Sequence, residues 1–266
     1  MPKLKVDYVS DLHINHYVKF TNHQEKWESQ TREWTRNLLK DSTGEVLVLA
    51  GDFSEWNNQS KWFIEECAKH YDHVFVTIGN HDYYLLSKNQ RNKYRTSMNR
   101  RDELFEMISD LPNVSTLFGE TKTYKGFTFG GHSLWYNPKN PDEVNWFETF
   151  SNDSQYIFAG QTYNQKSFDV LHQDAMSWYN TLKEHSFDVF VSHVPPVHPP
   201  RNRNLNSGDA SYVADVPFLV NTRHWVCGHQ HVQTSFEKFG IKFYMNPIGY
   251  PDEENYVNVR TFTVEK

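Results

Sequence analysis

Three short apolar runs in the first third of the chain each end abruptly in polar residues. They cover residues 4–10, 45–50 and 74–78, and they are rich in Val, Leu and Ile. Runs of this length and composition, closed by Gly, Asp or Asn, are typical of buried strands. The carboxyl end of a strand is also where open α/β sheets place their binding sites. The three runs therefore predict strands that carry polar groups to one edge of a sheet.

Two amphipathic segments separate these runs. Trp27, Trp34 and Leu38 lie on one face of a helix predicted over residues of about 21–40. Apolar residues within 64–71 keep the i, i+3, i+4, i+7 spacing of a second helix. The order β, α, β, α, β predicts a parallel sheet with right-handed crossovers, and therefore an α/β fold.

The second half of the chain continues this alternation less regularly. Further strands are predicted at residues 188–192, 225–227, 235–246 (a hairpin) and 257–264. Residues 132–165 contain many aromatic residues without a clear period, so we expect a loop-rich section. It would form a lid or rim beside the site, or a second small apolar cluster packed on the sheet. No repeat or flexible linker divides the chain, so residues 1–266 are predicted to form a single domain.

The composition fits an ordered globular protein and excludes several classes. A net charge of -6 and a pI near 6.1 argue against a general basic surface for nucleic acid. Cys67 and Cys227 form no C-x-x-C pair, so neither a disulfide framework nor a thiolate zinc site is indicated. Because no apolar segment is long enough for a signal peptide or a bilayer span, we expect a cytoplasmic protein without membrane association. No sequence feature indicates a protein partner.

Polar residues at five predicted strand ends form the candidate site. They are Asp11, His13, Asp52, Asn80, His81, Asp82, His193, His229 and His231. Because a parallel sheet brings its strand ends together, residues far apart in sequence become neighbours. Carboxylate and imidazole bind borderline divalent ions, and Asp-x-His or His-x-His places two side chains on one face of an extended segment. The cluster suits two metal ions, and such a site suits phosphoryl chemistry.

The same residues resemble the ordered signature of the calcineurin-like metallophosphoesterases. The blocks are Asp11-Leu12-His13, Gly51-Asp52, Gly79-Asn80-His81-Asp82, His193 and Gly228-His229-Gln230-His231. They are all intact and span nearly the whole chain. The resemblance implies a four-layered α/β sandwich, in which two mixed β-sheets pack face to face and helices flank them.

The resemblance also implies a role for each residue. One ion would be held by Asp11, His13, Asp52 and His231, and the other by Asp52, Asn80, His193 and His229. Asp52 would bridge the two ions, which are divalent or trivalent and include manganese, iron or zinc, since this donor set selects no single metal. A water or hydroxide shared by the ions would attack phosphorus. His81 would face the substrate and protonate the leaving oxygen, and Asp82 would orient His81.

The substrate stays open within this resemblance. The text GDFSEWN around Asp52 disfavours a protein serine/threonine phosphatase, and GNHD is similar to phosphodiesterases and Mre11-like nucleases. Our first hypothesis is a small phosphorylated substrate, either a phosphodiester or a phosphomonoester. The alternatives are a nuclease acting on DNA or RNA, and a catalytically silent metal-binding scaffold, against which the intact His81 argues. Arg201 and Arg203 are candidate phosphate contacts or else part of a solvated loop.

Overall fold

The computed structural model of the protein describes residues 2–159, 166–200 and 206–266. These residues contain two mixed β-sheets. The first sheet consists of β1 (Lys3–Val9), β2 (Val46–Ala50), β3 (His73–Thr77), β4 (Val114–Thr116) and β11 (Arg260–Glu265). The second consists of β5 (Glu120–Tyr124), β6 (Phe127–Gly131), β7 (Ser186–Val191), β8 (Asn221–Cys227), β9 (Thr234–Lys238) and β10 (Ile241–Met245).

Helices connect and cover these strands. The α-helices are α1 (Ile14–Tyr17), α2 (Gln24–Leu39), α3 (Asn57–His70), α4 (Lys88–Tyr94), α5 (Ser97–Ile108), α6 (Pro141–Phe150), α7 (Asn152–Tyr156) and α8 (Ser167–Tyr179). Short 3₁₀ helices lie at His81–Tyr83, Asn180–Leu182 and Ser207–Tyr212.

The strand order confirms the predicted parallel sheet. The first sheet runs β11-β1-β2-β3-β4, and β1 to β4 are parallel, with β11 antiparallel at the edge. The second runs β5-β6-β7-β8-β10-β9, with a parallel centre and antiparallel edges. The predicted hairpin is formed by β9 and β10, and it turns at Phe239 and Gly240, both with positive φ.

The alternation of side chains along the strands produces the layers. Val46 and Val48 of β2 pack between the two sheets, where Phe75 of β3 stacks on Phe129 of β6 with ring centroids 4.1 Å apart. Leu47 of β2 belongs to a separate core that includes residues of α3. Strands buried on both faces read as continuous apolar runs, as residues 46–50 do. The architecture is the predicted α/β sandwich of two face-to-face sheets flanked by helices.

The expectation of a loop-rich section at 132–165 is wrong for much of its described part, which contains α6 and α7. Asn140 caps α6 by accepting a hydrogen bond from the Glu143 N–H, and the Glu143 carboxylate accepts one from the Asn140 N–H. Pro141 occupies the first turn, where its missing N–H costs nothing. The capping signal was present in the sequence, but the aromatic residues obscured the helical period.

None of the described helices combines the length and apolar character that a bilayer crossing requires.

Candidate metal centre

The structure brings together all seven residues predicted as metal ligands. They follow the carboxyl ends of five strands: Asp11 and His13 after β1, Asp52 after β2, Asn80 after β3, His193 after β7, and His229 and His231 after β8. Two strands of this group belong to the second sheet and three to the first. The candidate centre therefore lies where the carboxyl ends of both sheets meet.

The first predicted ligand set converges on one point. His13 Nε2 lies 3.0 Å from His231 Nε2, and His231 Nε2 lies 3.5 Å from Asp11 Oδ1. Asp52 Oδ2 is 3.9 Å from His13 Nε2. Asp11, His13 and His231 offer ligand atoms within 4.8 Å of one another, as a metal site requires.

The second predicted set converges beside the first. Asn80 Oδ1 lies 2.9 Å from His193 Nε2 and 3.1 Å from His229 Nδ1. The same Asp52 Oδ2 that approaches the first set is 3.4 Å from His193 Nε2. Asp52 is thus placed between the two groups of donors.

These separations fit a coordinated cation. Donor atoms that lie about 2.1 Å from one ion and at right angles are about 3.0 Å apart, which matches the closest pairs in both groups. Two imidazole nitrogens with lone pairs facing each other, as in His13 and His231, repel unless a proton or a cation lies between them. The donor set of imidazole, carboxylate and amide oxygen accepts manganese, iron or zinc and does not by itself select one of them.

Strained backbone geometry is concentrated at the same residues. The φ angles are 49° at Asp11, 42° at His13, 60° at Asp52, 70° at His229 and 47° at His231. Residues other than glycine rarely adopt these left-handed backbone φ angles. Backbone strain of this kind clusters at functional sites. The fold holds the backbone of these five residues in conformations that cost free energy, which is expected of a site under functional constraint.

Two glycines of the motifs permit the close approach of the ligands. A Cβ atom at Gly79 would lie 2.2 Å from Asp52 Oδ1 and 2.5 Å from His193 Cε1. A Cβ atom at Gly228 would lie 2.3 Å from Asp11 Oδ2. Both distances are far inside van der Waals contact, so no other residue fits at either position without moving a ligand.

Hydrogen bonds behind the site set which ring nitrogen of each imidazole is available. The outward-facing N–H groups are donated as follows: His193 Nδ1 to Ala50 O at 2.8 Å, His229 Nε2 to Ser211 O at 2.9 Å, and His231 Nδ1 to Glu253 Oε2 at 2.8 Å. Because these oxygens only accept, the other nitrogen of each ring presents its lone pair to the site whenever the imidazole is neutral. Contacts of this kind orient imidazole ligands in metal sites.

Because the ionisable side chains of the site lie so close together, they shift one another's pKa values strongly. Burial raises the pKa of the Asp11 carboxyl, but His231 and His193 outweigh burial and lower that pKa to about 2. Burial lowers the pKa of His193, yet Asp52 raises it to about 9, and Asp11 helps raise the pKa of His231 to about 10 against its burial. Without cations, these two imidazoles hold protons at neutral pH. Metal binding must displace such protons, because only neutral imidazole is a ligand.

His81 lies beside the ligands, and its carboxylate neighbour is Glu55. His81 Nδ1 is 3.4 Å from Glu55 Oε1, and Nε2 is 3.4 Å from the Tyr250 hydroxyl. Burial lowers the pKa of His81, but the charges of Asp52 and Glu55 outweigh it and raise the pKa above its usual value. A side chain so placed can carry a positive charge toward a phosphoryl group. Its ring nitrogens are also close enough to His13 and Asp52 to ligate a cation.

Asp82 is placed differently from the expectation that it orients His81. Its carboxylate accepts hydrogen bonds from the backbone N–H groups of Gly79 and Asp52 at 2.9 Å and of Phe53 at 3.1 Å. Burial, together with the nearby Asp52 charge, raises the pKa of Asp82 to about 6. Asp82 thus ties the turn after β3 to the turn after β2, and Glu55 takes the position predicted for Asp82 beside the His81 ring.

Asn80 is oriented by a buried carboxylate that lies in the 132–165 section. Its Nδ2 donates to Asp153 Oδ1 at 2.9 Å, and Asp153 also accepts hydrogen bonds from the hydroxyls of Tyr84 and Tyr136. Because Nδ2 faces Asp153, Oδ1 of Asn80 is left to face the two imidazoles of its ligand set. Residue 153 in α7 therefore supports the site directly.

The sequence profile of the calcineurin-like phosphoesterase family matches residues 4–233 of the chain. The chain belongs to this family. It is accordingly a metallophosphoesterase, a metal-dependent hydrolase of phosphoric esters, as the motifs predicted.

Two known proteins resemble this calcineurin-like phosphoesterase along nearly its whole length. The uncharacterized protein L509 of Acanthamoeba polyphaga mimivirus is 24% identical over 277 residues, covering 94% of this chain and 93% of the viral protein. The crystal structure of phosphopantetheinyl hydrolase from Mycobacterium tuberculosis superposes with a TM-score of 0.69 at 16% identity, covering 97% of this chain and 95% of the other. At these identities the likeness establishes the shared fold.

Four residues of the phosphoesterase site were not singled out from the sequence. They are Glu55, Asp153, Tyr250 and Glu253. Glu55 lies only three positions after Asp52, in the text GDFSEWN, so it could have been recognised from the sequence. Tyr250 stacks on the His13 ring with centroids 4.5 Å apart, but its segment follows β10 without any motif. Arg201 and Arg203, proposed as phosphate contacts, lie outside the described residues.

Proposed function

We propose that this phosphoesterase binds two metal ions and hydrolyses a small phosphodiester or phosphomonoester. The observation that carries the proposal is the convergence of two donor groups that share Asp52. Asp11, His13 and His231 would complete one set, in agreement with their mutual distances. Two ions held by these residues would polarise the phosphoryl oxygens and acidify a bound water.

The residues around the ions would orient and protonate the substrate. His81 lines the cleft beside Asp52, and Glu55 supports its positive charge. A charged imidazole there stabilises the phosphoryl oxygens and donates its proton to the departing oxygen, which is the role of a general acid. Tyr250, packed on His13 with its hydroxyl toward His81 Nε2, limits the positions that the His81 ring can adopt.

We further propose that the described part of the 132–165 section, residues 132–159, forms a rim of the site within a single domain of residues 1–266, while residues 160–165 lie outside the described residues. Asp153, which holds Asn80, and the neighbouring cleft residues of α6 and α7 support a rim.

The test is turnover of small esters by protein reloaded with defined metals. Chelator-treated protein is supplied with manganese, zinc, iron, cobalt or nickel and assayed with 4-nitrophenyl phosphate and bis(4-nitrophenyl) phosphate. We expect no turnover without metal, restored turnover with at least one ion, and two ions per chain by elemental analysis. Asp52→Asn is the matched control, since it removes the shared ligand charge but preserves the side-chain shape.

Other results would redirect the assignment. Cleavage of oligonucleotides without turnover of either small ester would indicate a nuclease. Two bound ions with no turnover of any ester would indicate a scaffold. One ion per chain in the active protein would contradict the two-metal proposal.

A further inference from the structure

Arg100 lies in α5, and its side chain is completely buried. The helix α5 packs against α3 and against the 3₁₀ helix His81–Tyr83. Arginine is almost never fully buried, because removing its charge from water costs much free energy. The charges of Asp82 and Glu55 act on the guanidinium through space and offset part of that cost. A charge kept inside the protein in this way indicates a role that an apolar side chain could not fill.

The guanidinium makes four hydrogen bonds, all of them to uncharged acceptors. Nη1 donates to the backbone carbonyl oxygens of His81 at 2.7 Å and of Tyr84 at 2.8 Å. Nη2 donates to the backbone carbonyl oxygen of Ser54 at 2.7 Å, and Nε donates to Asn57 Oδ1 at 3.1 Å. One planar group of Arg100 therefore joins the segment after β2 to the turn after β3.

Each of these two segments carries one member of the contact between His81 and Glu55. The bound carbonyl of Ser54 belongs to the peptide group that precedes Glu55, and the bound carbonyl of His81 belongs to the peptide group that follows His81. His81 Nδ1 lies 3.4 Å from Glu55 Oε1. Because both peptide groups bind the same rigid guanidinium, Arg100 sets the separation of the two backbones.

The imidazole of His81 is held more firmly by its backbone than by contacts of its ring. Nδ1 makes no hydrogen bond to a described residue, although Glu55 is near, and Nε2 is 3.4 Å from the Tyr250 hydroxyl. The backbone N–H of His81 donates to Asp52 Oδ1 at 2.8 Å, and its carbonyl oxygen accepts from Arg100. The position of the ring therefore depends on these two backbone anchors.

The guanidinium is itself oriented by Asn57 of α3. The Nδ2 of Asn57 donates to the backbone carbonyl oxygen of Arg100 and to Glu103 Oε2, both at 2.8 Å. Because Nδ2 faces these oxygens, Oδ1 faces Arg100 Nε. Lysine could not replace this arginine, since its ammonium is a point charge without a planar fork of donors.

We infer that Arg100 is a positioning residue for His81: its guanidinium holds the segment after β2 and the turn after β3 at a fixed separation, and so places the imidazole. Arg100 is fully buried and touches no substrate. The inference rests on the proposed function, because the position of His81 matters for turnover only if His81 donates a proton to the leaving oxygen.

The first test compares leaving groups in metal-loaded Arg100→Lys, which keeps the charge but not the fork. Phenyl phosphate and 4-nitrophenyl phosphate form one substrate pair, and methyl phenyl phosphate and methyl 4-nitrophenyl phosphate form the diester pair. For the pair that is hydrolysed, we expect kcat of the phenyl ester to fall about 10- to 100-fold with little change in KM. The 4-nitrophenyl ester should lose less, because its leaving group needs the proton less.

Two controls accompany this comparison. Arg101→Lys makes the same change at the next position of α5, where the arginine pairs with the carboxylates of Asp102 and Asp174, and it should leave both rates unchanged. Bound metal and Tm are measured for every variant. Asn57→Ala keeps Arg100 but removes the amide that orients it, so the same dependence on the leaving group is expected on a smaller scale even if Arg100→Lys does not fold.

Rescue and a double-mutant cycle separate positioning from a general effect on the fold. Guanidinium at non-denaturing concentrations should restore part of the phenyl-ester kcat to Arg100→Ala, whereas sodium chloride at equal ionic strength should not. In a His81→Ala background, Arg100→Lys should lower kcat little further, because the acid that it positions is gone. Crystal structures of Arg100→Lys and the wild type provide a measurement without turnover: the distance from His81 Nδ1 to Glu55 Oε1 is expected to exceed 3.4 Å in the variant.

The outcomes distinguish this inference from the proposed function. Equal losses with both leaving groups, additive effects of Arg100→Lys and His81→Ala, or an unchanged distance between His81 and Glu55 would overturn the positioning role and leave the phosphoesterase intact. A longer distance in Arg100→Lys but not in Arg101→Lys, in a protein that hydrolyses no ester with any metal, would uphold the positioning of His81 and overturn the proposed function.

Discussion

Replacing Glu55 by Gln tests whether Glu55, rather than Asp82, supports the charge of His81. The substitution removes one negative charge while keeping the size of the side chain. Two unit charges 3.4 Å apart interact by about 5 kcal/mol at an effective dielectric constant of about 20. Because the Glu55 side chain is 13% exposed and partly screened, and because Asp52 also raises the pKa of His81, we expect a smaller effect, which still lowers the pKa of His81.

The sign of the effect on turnover follows from the role of His81 as an acid. Only the protonated imidazole can donate to the leaving oxygen, so turnover falls as pH rises above the pKa of His81. A lowered pKa of His81 moves this alkaline limb of the pH profile to lower pH by the same amount. At a pH above both pKa values, the protonated fraction and the rate therefore fall about tenfold for each pH unit by which the limb moves.

The assay is the pH dependence of kcat with a phosphoester that has an alkyl leaving group, since such a group needs the proton most. The 4-nitrophenyl esters should show a smaller effect, because 4-nitrophenolate leaves without protonation. Metal content is measured in parallel. Glu65→Gln is the matched control, since Glu65 pairs with Lys61 and Arg32 on the surface of α3.

Asp82→Asn provides the contrasting result. An amide cannot replace a carboxylate that accepts three backbone N–H groups, so we expect a loss of about 1–3 kcal/mol of unfolding free energy, measured with denaturant. The alkaline limb should stay where it is. If Asp82→Asn moves the limb by as much as Glu55→Gln does, or if Glu55→Gln leaves the limb unmoved, then Glu55 does not support the charge of His81.

Four further outcomes are expected. His81→Ala should retain both ions but lower turnover about 100- to 10,000-fold; loss of metal by elemental analysis would instead make His81 a ligand. Asp52→Asn should lose tight binding of both ions in a metal titration, since it is shared by the two sets. Asp153→Ala should weaken binding of one ion about 10- to 100-fold, because Asn80 loses its support, and binding of the other ion serves as the internal reference. In metal-free protein, the ion pairs of protonated His193 and His231 raise the pKa values of both side chains, and they stabilise the fold fully below about pH 6.5. Tm should therefore fall as the pH rises from about 6.5 to 10. A Tm that does not change over this range would contradict the ion pairing.

The aromatic section 132–165 shows where the sequence pattern was insufficient. The segment gave no clear period because its described helices are short and their aromatic residues face both ways, with Phe147 in the core and Trp146 and Phe150 at the cleft. Whether Asp153 meets Asn80, 73 positions earlier in the chain, depends on how α7 packs against the turn after β3. No local pattern encodes such a distance.

The two-sheet sandwich was implied by the resemblance to the phosphoesterase family. The sequence by itself determined the α/β class, the parallel sheet and the group of residues that converge at the strand ends. These follow from local properties: apolar runs that only a doubly covered strand can bury, helical spacing between them, and motifs whose glycines and donors lie within a few positions of each other. Only the tertiary structure decided which carboxylate stands beside His81 and which groups hold the ligands from behind. Asp82 is adjacent to His81 in sequence, yet its carboxylate turns to three backbone N–H groups, since buried donors must be satisfied. The position beside the imidazole is occupied by Glu55, which follows the neighbouring strand β2.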